Sequence, residues 1–406
     1  EMTYHTQEIQ IELRSPLVLG SDRENPIFIE TREYIPGGAL RGAVARLIKE
    51  VESVELLETL FGPEVTPPIF ENLYASRGGA FTYPIPLSAR TCKYNSGFLS
   101  QGMKHHGIGD ILIWQAAFEN TLLDSKAKLP YLYQPRCPKC QEEVARPAIE
   151  FYETIGGVYH PVRVPVRRLA RTAINRHRYT AADQLLYTLE TIEPGTLHGD
   201  DQKRLLFRGA VRYQPEHAEL LQTWLPKVNW IGGGRSRGLG QISVELVDDD
   251  TTTPILSKRL AALNEAVWEE YHFYQRVAGA TPPPTDTVFF SLDLLSATIF
   301  TRFGLPATEP DFSEIGLSSA NAQIYRAFTD QKVVGGWHMS AGLPRRTMLT
   351  TVAGSVYLIG VQGLSLQELA TLLEPIETSG LGAERERGFG RILISSPFHY
   401  QAEVTL

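Results

Sequence analysis

Cysteine is scarce: three occur in 406 residues, too few for a disulfide framework, so a reducing cytoplasmic setting is expected. Long uncharged apolar runs are missing too. No stretch approaches the roughly 20 residues that a spanning helix needs, so no membrane partner is expected. Glu1 to Arg14 alternates polar and apolar residues and lacks the pattern of a secretory signal. Positive charge is in deficit, with 39 Lys and Arg against 46 Asp and Glu, a formal net charge of −7. That argues against a protein that coats nucleic acid by bulk charge. Signatures of metal-dependent nucleic-acid chemistry are absent as well. There is no Gly-Gly-Asp-Asp run and no His-Asp pair. The Asp248-Asp249-Asp250 run reads as a solvated loop after a strand rather than a two-metal site.

What is present is an ordinary globular makeup, 43% hydrophobic and 21% charged, at a length that suits two domains. Ile9, Ile11 and Leu13 alternate with polar residues and predict a first strand. Ile35-Pro36-Gly37-Gly38-Ala39-Leu40-Arg41-Gly42 follows, and Leu40, Val44, Leu47, Ile48 and Val51 recur at helical spacing. Pro36 and the two glycines mark a helix start, where backbone N–H groups at the positive end are free to meet an anion. Further strands are predicted around 162–167, 205–213 and 241–247, then a helix over 256–277 and a proline linker at 281–285. A second series follows: strands from Thr287 and over 355–361, a helix over 365–373, and strands at 391–394 and 402–406. The predicted division is a first domain at 1–250, a helix and linker at 251–284, and a second domain at 285–406. The first domain carries a Pro- and Gly-rich insertion at 62–150, expected to lack a core of its own.

The positive charge is clustered. Arg163, Arg167, Arg168, Arg171, Arg176 and Arg178 fall in sixteen residues that contain no acid. Arginines alternating along a strand can track successive phosphates, with affinity that falls steeply as salt rises. A repeat concentrates the rest. Arg235-Ser236-Arg237-Gly238-Leu239-Gly240-Gln241-Ile242 and Arg385-Glu386-Arg387-Gly388-Phe389-Gly390-Arg391-Ile392 share one pattern. Each copy closes a predicted domain and runs into a strand. Alternate glycines let a ligand approach the backbone, and their N–H groups can line an anion-binding concavity. The arginines add forked donors for phosphate. Such a loop positions a phosphate backbone without reading bases. Trp337 and Tyr179 are candidate stacking residues.

The second copy extends upstream to Gly380-Leu381-Gly382, five residues before Gly388-Phe389-Gly390. This resembles the glycine-rich loop of the repeat-associated mysterious proteins, the RAMP family of CRISPR systems. The first copy departs from it, since Trp230-Ile231-Gly232 puts a tryptophan where the first glycine belongs. The Ile35–Gly42 segment is similar to the start of that family's first helix, and Arg171–Arg178 with Leu185–Glu190 is similar to its central hairpin. The resemblance implies an α+β chain of two ferredoxin-like βαββαβ domains. It further implies a non-catalytic subunit of a type III effector complex, holding the 5′ tag of the crRNA for antiviral defence. The cysteine insertion, the length and Val333-Val334-Gly335-Gly336-Trp337 are similar to the type III-D version. The implied partners are crRNA, backbone RAMP subunits and a large subunit. The residues expected at the RNA are Gly37, Gly38, Arg41, the six clustered arginines, His177, Arg235 to Gly238, Gly240, Trp337, Arg385, Arg387, Gly388, Gly390 and Arg391.

Two other readings stay open. Some relatives cleave repeat RNA without metal, and His177 among its arginines is the candidate acid or base for such an endoribonuclease. A purely protein-binding module would leave the repeated Arg-Gly loops unexplained. Separately, Cys137-Pro138-Lys139-Cys140 has the spacing of a zinc knuckle. Cys92 is the remaining cysteine, and His105 or His106 completes a Cys₃His set for a structural zinc that would tie down the insertion.

Overall fold

The computed structural model describes residues 4–20, 28–51, 54–77, 80–129, 134–175, 180–195, 204–248, 254–338 and 342–406. The first unit is built from β1 (His5–Leu13), α1 (Gly37–Val51), β2 (Ile69–Phe70) and β3 (Tyr74–Arg77). Far along the chain it is completed by a long hairpin, β4 (Val166–Asn175) with β5 (Thr180–Ile192), and by β6 (Leu205–Tyr213), α2 (Ala218–Trp224) and β7 (Ile242–Val247). Its sheet runs β7-β1-β6, with β2 and β3 both on the outer side of β6, and every neighbouring pair is antiparallel. Ile9, Ile11 and Leu13 are buried together on one face of β1, as the alternation requires. Leu40, Val44 and Ile48, one turn apart on α1, close that face against Phe70, Phe207 and Val211.

The second unit follows α3 (Leu256–Ala278). Its elements are β8 (Thr287–Leu294), the small hairpin β9 (Phe300–Arg302) and β10 (Leu305–Ala307), β11 (Ala322–Phe328), β12 (Val356–Gln362), α4 (Leu366–Ser379) and β13 (Ile392–Ile394). The sheet runs β11-β12-β8-β13, again with antiparallel neighbours. Where the first unit has α1, this one has the β9–β10 hairpin and a 3₁₀ turn at Phe312–Ile315. Ser365 caps α4 in a reciprocal box with Glu368: its Oγ accepts from the Glu368 N–H (3.3 Å), and the Glu368 carboxylate accepts from the Ser365 N–H (2.8 Å). Among the described residues, no helix is long and apolar enough to cross a membrane.

The insertion departs from expectation. Its Ile85, Phe98 and Ile108 are buried in a core shared with Tyr152 and Tyr159, which follow it, and with Phe398 from the chain's end. It also contains a helix, Leu112–Leu123, that docks on α3 through Leu112, Ile113, Ala116 and Ala117. Apolar residues surround that helix, so no one-sided period announces it. The last residues form no strand, contrary to the 402–406 expectation. They are held instead by side chains: the Glu403 carboxylate accepts from the Leu99 and Ile108 N–H groups (3.0 and 3.2 Å), and Tyr159 Oη donates to the Gln401 carbonyl (3.1 Å).

Two buried charge clusters lock the parts together. Glu71, after β2, sits between Arg212 of β6 (2.8 Å) and Arg391 of the second glycine loop (3.0 Å). Arg212 also donates to the Glu377 carbonyl at 2.9 Å, and the Glu377 carboxylate receives Arg259 of α3 at 2.7 Å. The second cluster is Asp110–His399–Asp293, with Nδ1 3.1 Å from Asp110 and Nε2 2.6 Å from Asp293. It joins the insertion, β8 and the chain's end. Burial pulls the His399 pKa down, but the two carboxylates outweigh it and raise it to about 10.

The charged His399 therefore stabilises the fold fully below the ordinary histidine value near 6.5, and that contribution is lost as pH rises toward 10. In thermal or urea melts, the advantage of the native chain over His399→Gln should be constant below pH 6.5 and shrink above it, by up to about 1.4 kcal/mol per pH unit. Parallel pH profiles for the two proteins would contradict the charged cluster.

Candidate nucleic-acid interface and metal centre

The two repeated loops share most of their backbone hydrogen bonds. Ile231 N–H donates to the Gly240 carbonyl and Leu381 N–H to the Gly390 carbonyl, both at 2.9 Å. Arg235–Arg237 and Arg385–Arg387 each form one 3₁₀ turn, closed by Gly238 and Gly388 in left-handed conformation. Each loop is tied to the segment after the first strand of its own unit. Gly240 N–H reaches the Pro16 carbonyl and Gly390 N–H the Ala297 carbonyl, at 2.9 and 3.0 Å. Gly233 N–H reaches Val18 and Ala383 N–H reaches Ile299, at 3.1 and 3.0 Å. A Cβ on Gly240 would stand 2.1 Å from the Ile231 carbonyl oxygen, and one on Gly390 1.8 Å from that of Leu381. Gly240 and Gly390 are thus required by contact as well as by φ.

The tryptophan of the first loop finds its explanation here. Gly380 has φ +75°, and a Cβ on it would meet the Gly390 carbonyl oxygen at 2.5 Å. Trp230 instead pairs with Gln241 as an antiparallel bridge, and its ring receives the Arg235 guanidinium at 5.6 Å.

The first loop joins the long hairpin. Leu239 packs with Leu189 of β5 and with Val18, and Arg237 Nη1 donates to Tyr187 Oη at 3.2 Å. The β4–β5 register sets Arg167 opposite Thr191, Leu169 opposite Leu189 and Arg171 opposite Tyr187. Arg167 and Arg171 therefore share the face of the hairpin that carries the first loop. Arg168 points the other way and pairs with Glu190 of β5 at 3.0 Å, an acid that the local sequence around the arginines does not reveal. Arg163, Arg235, Ser236, Arg237 and Gly238 are all exposed. Arg176, His177, Arg178 and Tyr179 lie outside the described residues, and Trp337 belongs to a two-residue strand paired with Leu343–Pro344.

The second loop faces inward. Gly37 and Gly38 at the start of α1 receive it: a Cβ on Gly38 would be 3.4 Å from that of Arg387, and Gly388 leaves room for Asn72, whose Oδ1 accepts the Gly37 N–H at 3.0 Å. The helix start is thus used within the chain. Arg385 donates to the Ser379 carbonyl (3.2 Å), Arg387 pairs with Glu384, and Arg391 pairs with Glu71. Arg41 lies over the Phe61 ring at 4.8 Å. Burial lowers its pKa, opposed by Glu386 and assisted by Arg387. Arg345, absent from the sequence-based set, enters the same neighbourhood: burial, then Arg387, lowers its pKa.

The insertion brings its candidate metal-ligating residues together. Cys92 ends the strand Ala89–Cys92, and Cys137 and Cys140 bracket a turn closed by Gln141 N–H on the Cys137 carbonyl at 2.8 Å. Sγ of Cys92 and Cys140 are 3.6 Å apart, His106 Nδ1 is 3.2 Å from Cys137 Sγ, and all four donor atoms lie within 4.8 Å of one another. Tetrahedral zinc, with bonds of about 2.0–2.3 Å, places its ligand atoms about 3.5–3.8 Å apart, so the set fits such an ion. The histidine that joins the three cysteines is His106. His105, the alternative, is turned away with Nδ1 on the Ser96 carbonyl at 2.5 Å.

The chain belongs to the RAMP superfamily, whose family model matches residues 10–243. No curated protein matches it in sequence. Among solved structures it is similar to a chain of the type III-B Cmr-beta complex bound to cognate target RNA and AMPPnP, with 11% identity, TM-score 0.42, and coverage of 94% of this chain and 91% of that one. It is also similar to a chain of the Csm3-Csm4 subcomplex of the type III-A CRISPR-Cas interference complex, with 12% identity, TM-score 0.34, and coverage of 86% and 92%.

Contact and conformation separate the glycines of the first loop. Gly240→Ala should destabilise the chain by about 2 kcal/mol or more, because it combines a backbone clash with a left-handed φ. Gly238→Ala, with open space around it, should cost only the conformational strain of about 1–2 kcal/mol. Urea unfolding of the two variants checks this order, and equal losses would contradict it.

Proposed function

We propose that this chain is a non-catalytic RNA-binding subunit of a type III CRISPR effector complex, made of two ferredoxin-like units, at 1–250 and 285–406, that hold the 5′ tag of a crRNA. The observation that carries the reading is the first loop beside the long hairpin. Arg167, Arg171, Arg235 and Arg237 come from two elements packed on each other, and Arg163 is exposed nearby. The order of strands in each sheet, fourth-first-third-second, supports the ferredoxin-like assignment. A guanidinium-lined backbone loop suits phosphate rather than bases, which fits a subunit that positions a guide whose pairing edge is read by a target. Membership of the RAMP superfamily supports crRNA, backbone RAMP subunits and a large subunit as partners, in the cytoplasm. The cysteine insertion favours the type III-D version.

The test is a metal-free gel-shift and salt titration with labelled single-stranded CRISPR-repeat RNA. Wild type should shift intact RNA. Arg167→Glu/Arg171→Glu should weaken binding and reduce the salt slope by about 1.4, for two single-strand phosphate contacts. These positions test binding more cleanly than Arg385 and Arg391, which hold the fold. Unchanged binding and slope would reject the interface. Cleavage at one position, lost in His177→Ala, would establish a metal-independent endoribonuclease instead.

We also propose that Cys92, His106, Cys137 and Cys140 hold a structural zinc. Elemental analysis of purified protein should give one zinc per chain, lost in Cys137→Ser and His106→Ala and retained in His105→Ala. A metal-free, fully folded wild type would reject the site.

A further inference from the structure

Two of the candidate metal ligands bracket one loop of the insertion. Cys92 ends the strand before it, and His106 stands just ahead of the edge strand Ile108–Asp110, which pairs antiparallel with Ala89–Cys92. The loop closes on itself through His106 N–H on the Asn95 carbonyl and Gly107 N–H on that of Gly97, at 3.0 and 3.1 Å. Gly97, Gly102 and Gly107 have φ of +135°, +113° and +89°. Glycine reaches such conformations at no steric cost but loses much backbone freedom there, so the loop gains from a clamp. Lys139, between Cys137 and Cys140, donates from Nζ to the His105 carbonyl at 3.2 Å, so the cysteine turn grips the loop as well.

Residues 402–406 lie across this loop, and among the described residues they make no backbone–backbone hydrogen bond. Glu403 is their anchor. A single carboxylate oxygen, Oε2, accepts from both Leu99 N–H (3.0 Å) and Ile108 N–H (3.2 Å). Those donors lie on either side of His106 in the sequence and meet only when the loop is closed. Val404 and Leu406 fill the space that two glycines leave. A Cβ on Gly107 would be 2.8 Å from Val404 Cγ1, and one on Gly109 2.6 Å from Leu406 Cγ. Upstream, His399 is held separately in the interior by Asp110 and Asp293.

We propose that metal occupancy of the cysteine–histidine site latches the 402–406 segment, an inference that rests on the zinc reading above. A metal joining Cys92 to His106 fixes both ends of the loop. The loop then presents the Leu99 and Ile108 N–H groups to one carboxylate oxygen. Without the metal the loop relaxes, Glu403 loses its paired donors, and the segment leaves the edge strand. The grip of the insertion on the last residues of the second unit thereby becomes sensitive to zinc supply. Coupling of this kind is reciprocal: the segment must tighten zinc binding by the factor that zinc tightens the segment.

Zinc affinity of the full chain, read by competition with a chromophoric chelator, makes the test. Glu403→Ala should bind zinc about 5- to 150-fold more weakly. Glu403→Gln should stay close to wild type, because its amide oxygen can accept the same two bonds. Equal losses in the two variants would reveal an effect of charge alone and overturn the latch. Thr405→Ala, at an exposed position of the same segment, should match wild type. In parallel, carboxypeptidase should trim the 406-residue chain faster after zinc is chelated, at a temperature where circular dichroism shows the fold intact, and zinc should restore the slow rate. Unchanged zinc affinity in Glu403→Ala, or trimming indifferent to zinc, would overturn the latch while leaving the metal site in place. A fully folded wild type that holds no zinc would overturn both.

Discussion

The arrangement depends on one buried carboxylate. Glu71 is 2% exposed and lies between Arg212 of the first unit's sheet and Arg391 of the second unit's loop. Removing one partner of such a cluster leaves a charge uncompensated in the interior, typically at a cost of about 3–5 kcal/mol. The contact is reached only because the backbones approach closely. A Cβ on Gly37 would overlap the Phe70 carbonyl oxygen at 1.8 Å, and one on Gly388 would stand 2.2 Å from Asn72 Oδ1. Small residues bring the second loop against α1, and the ion pairs then hold it there. With the two units set, the insertion and the chain's end close the other side through Asp110, His399 and Asp293.

Two loops of one design consequently do different work. The second spends its arginines on Ser379, Glu384 and Glu71. The first leaves Arg237 exposed with a tyrosine hydroxyl for partner, and its Arg235 only 3.9 Å from an equally exposed Glu50. An exposed pair at that distance contributes little and yields readily to a phosphate. The loop scaffold occurs twice, and the surroundings decide which copy keeps its arginines exposed.

Much of this was legible in the sequence. Glycines at alternate positions announce a backbone constraint, and the two copies are anchored by equivalent bonds. The anchors were not legible, because Pro16, Val18, Ala297 and Ile299 contribute carbonyl groups, which every residue type has. Spacing placed the cysteine site but could not separate His105 from His106, since the direction of adjacent side chains is set by the local turn. Glu190, Glu71 and His399 also escaped notice. Each is a charge neutralised by a residue distant in sequence, and pairing of that kind depends on strand register and docking rather than on local pattern.

We propose that the first loop and the hairpin face beside it hold the RNA backbone. Hydrogen–deuterium exchange with and without single-stranded CRISPR-repeat RNA addresses it directly. Residues 232–240 and 166–172 should gain protection when RNA is added, with the second loop already slow to exchange in the free protein. RNA bound with no protection at either segment would place the interface elsewhere.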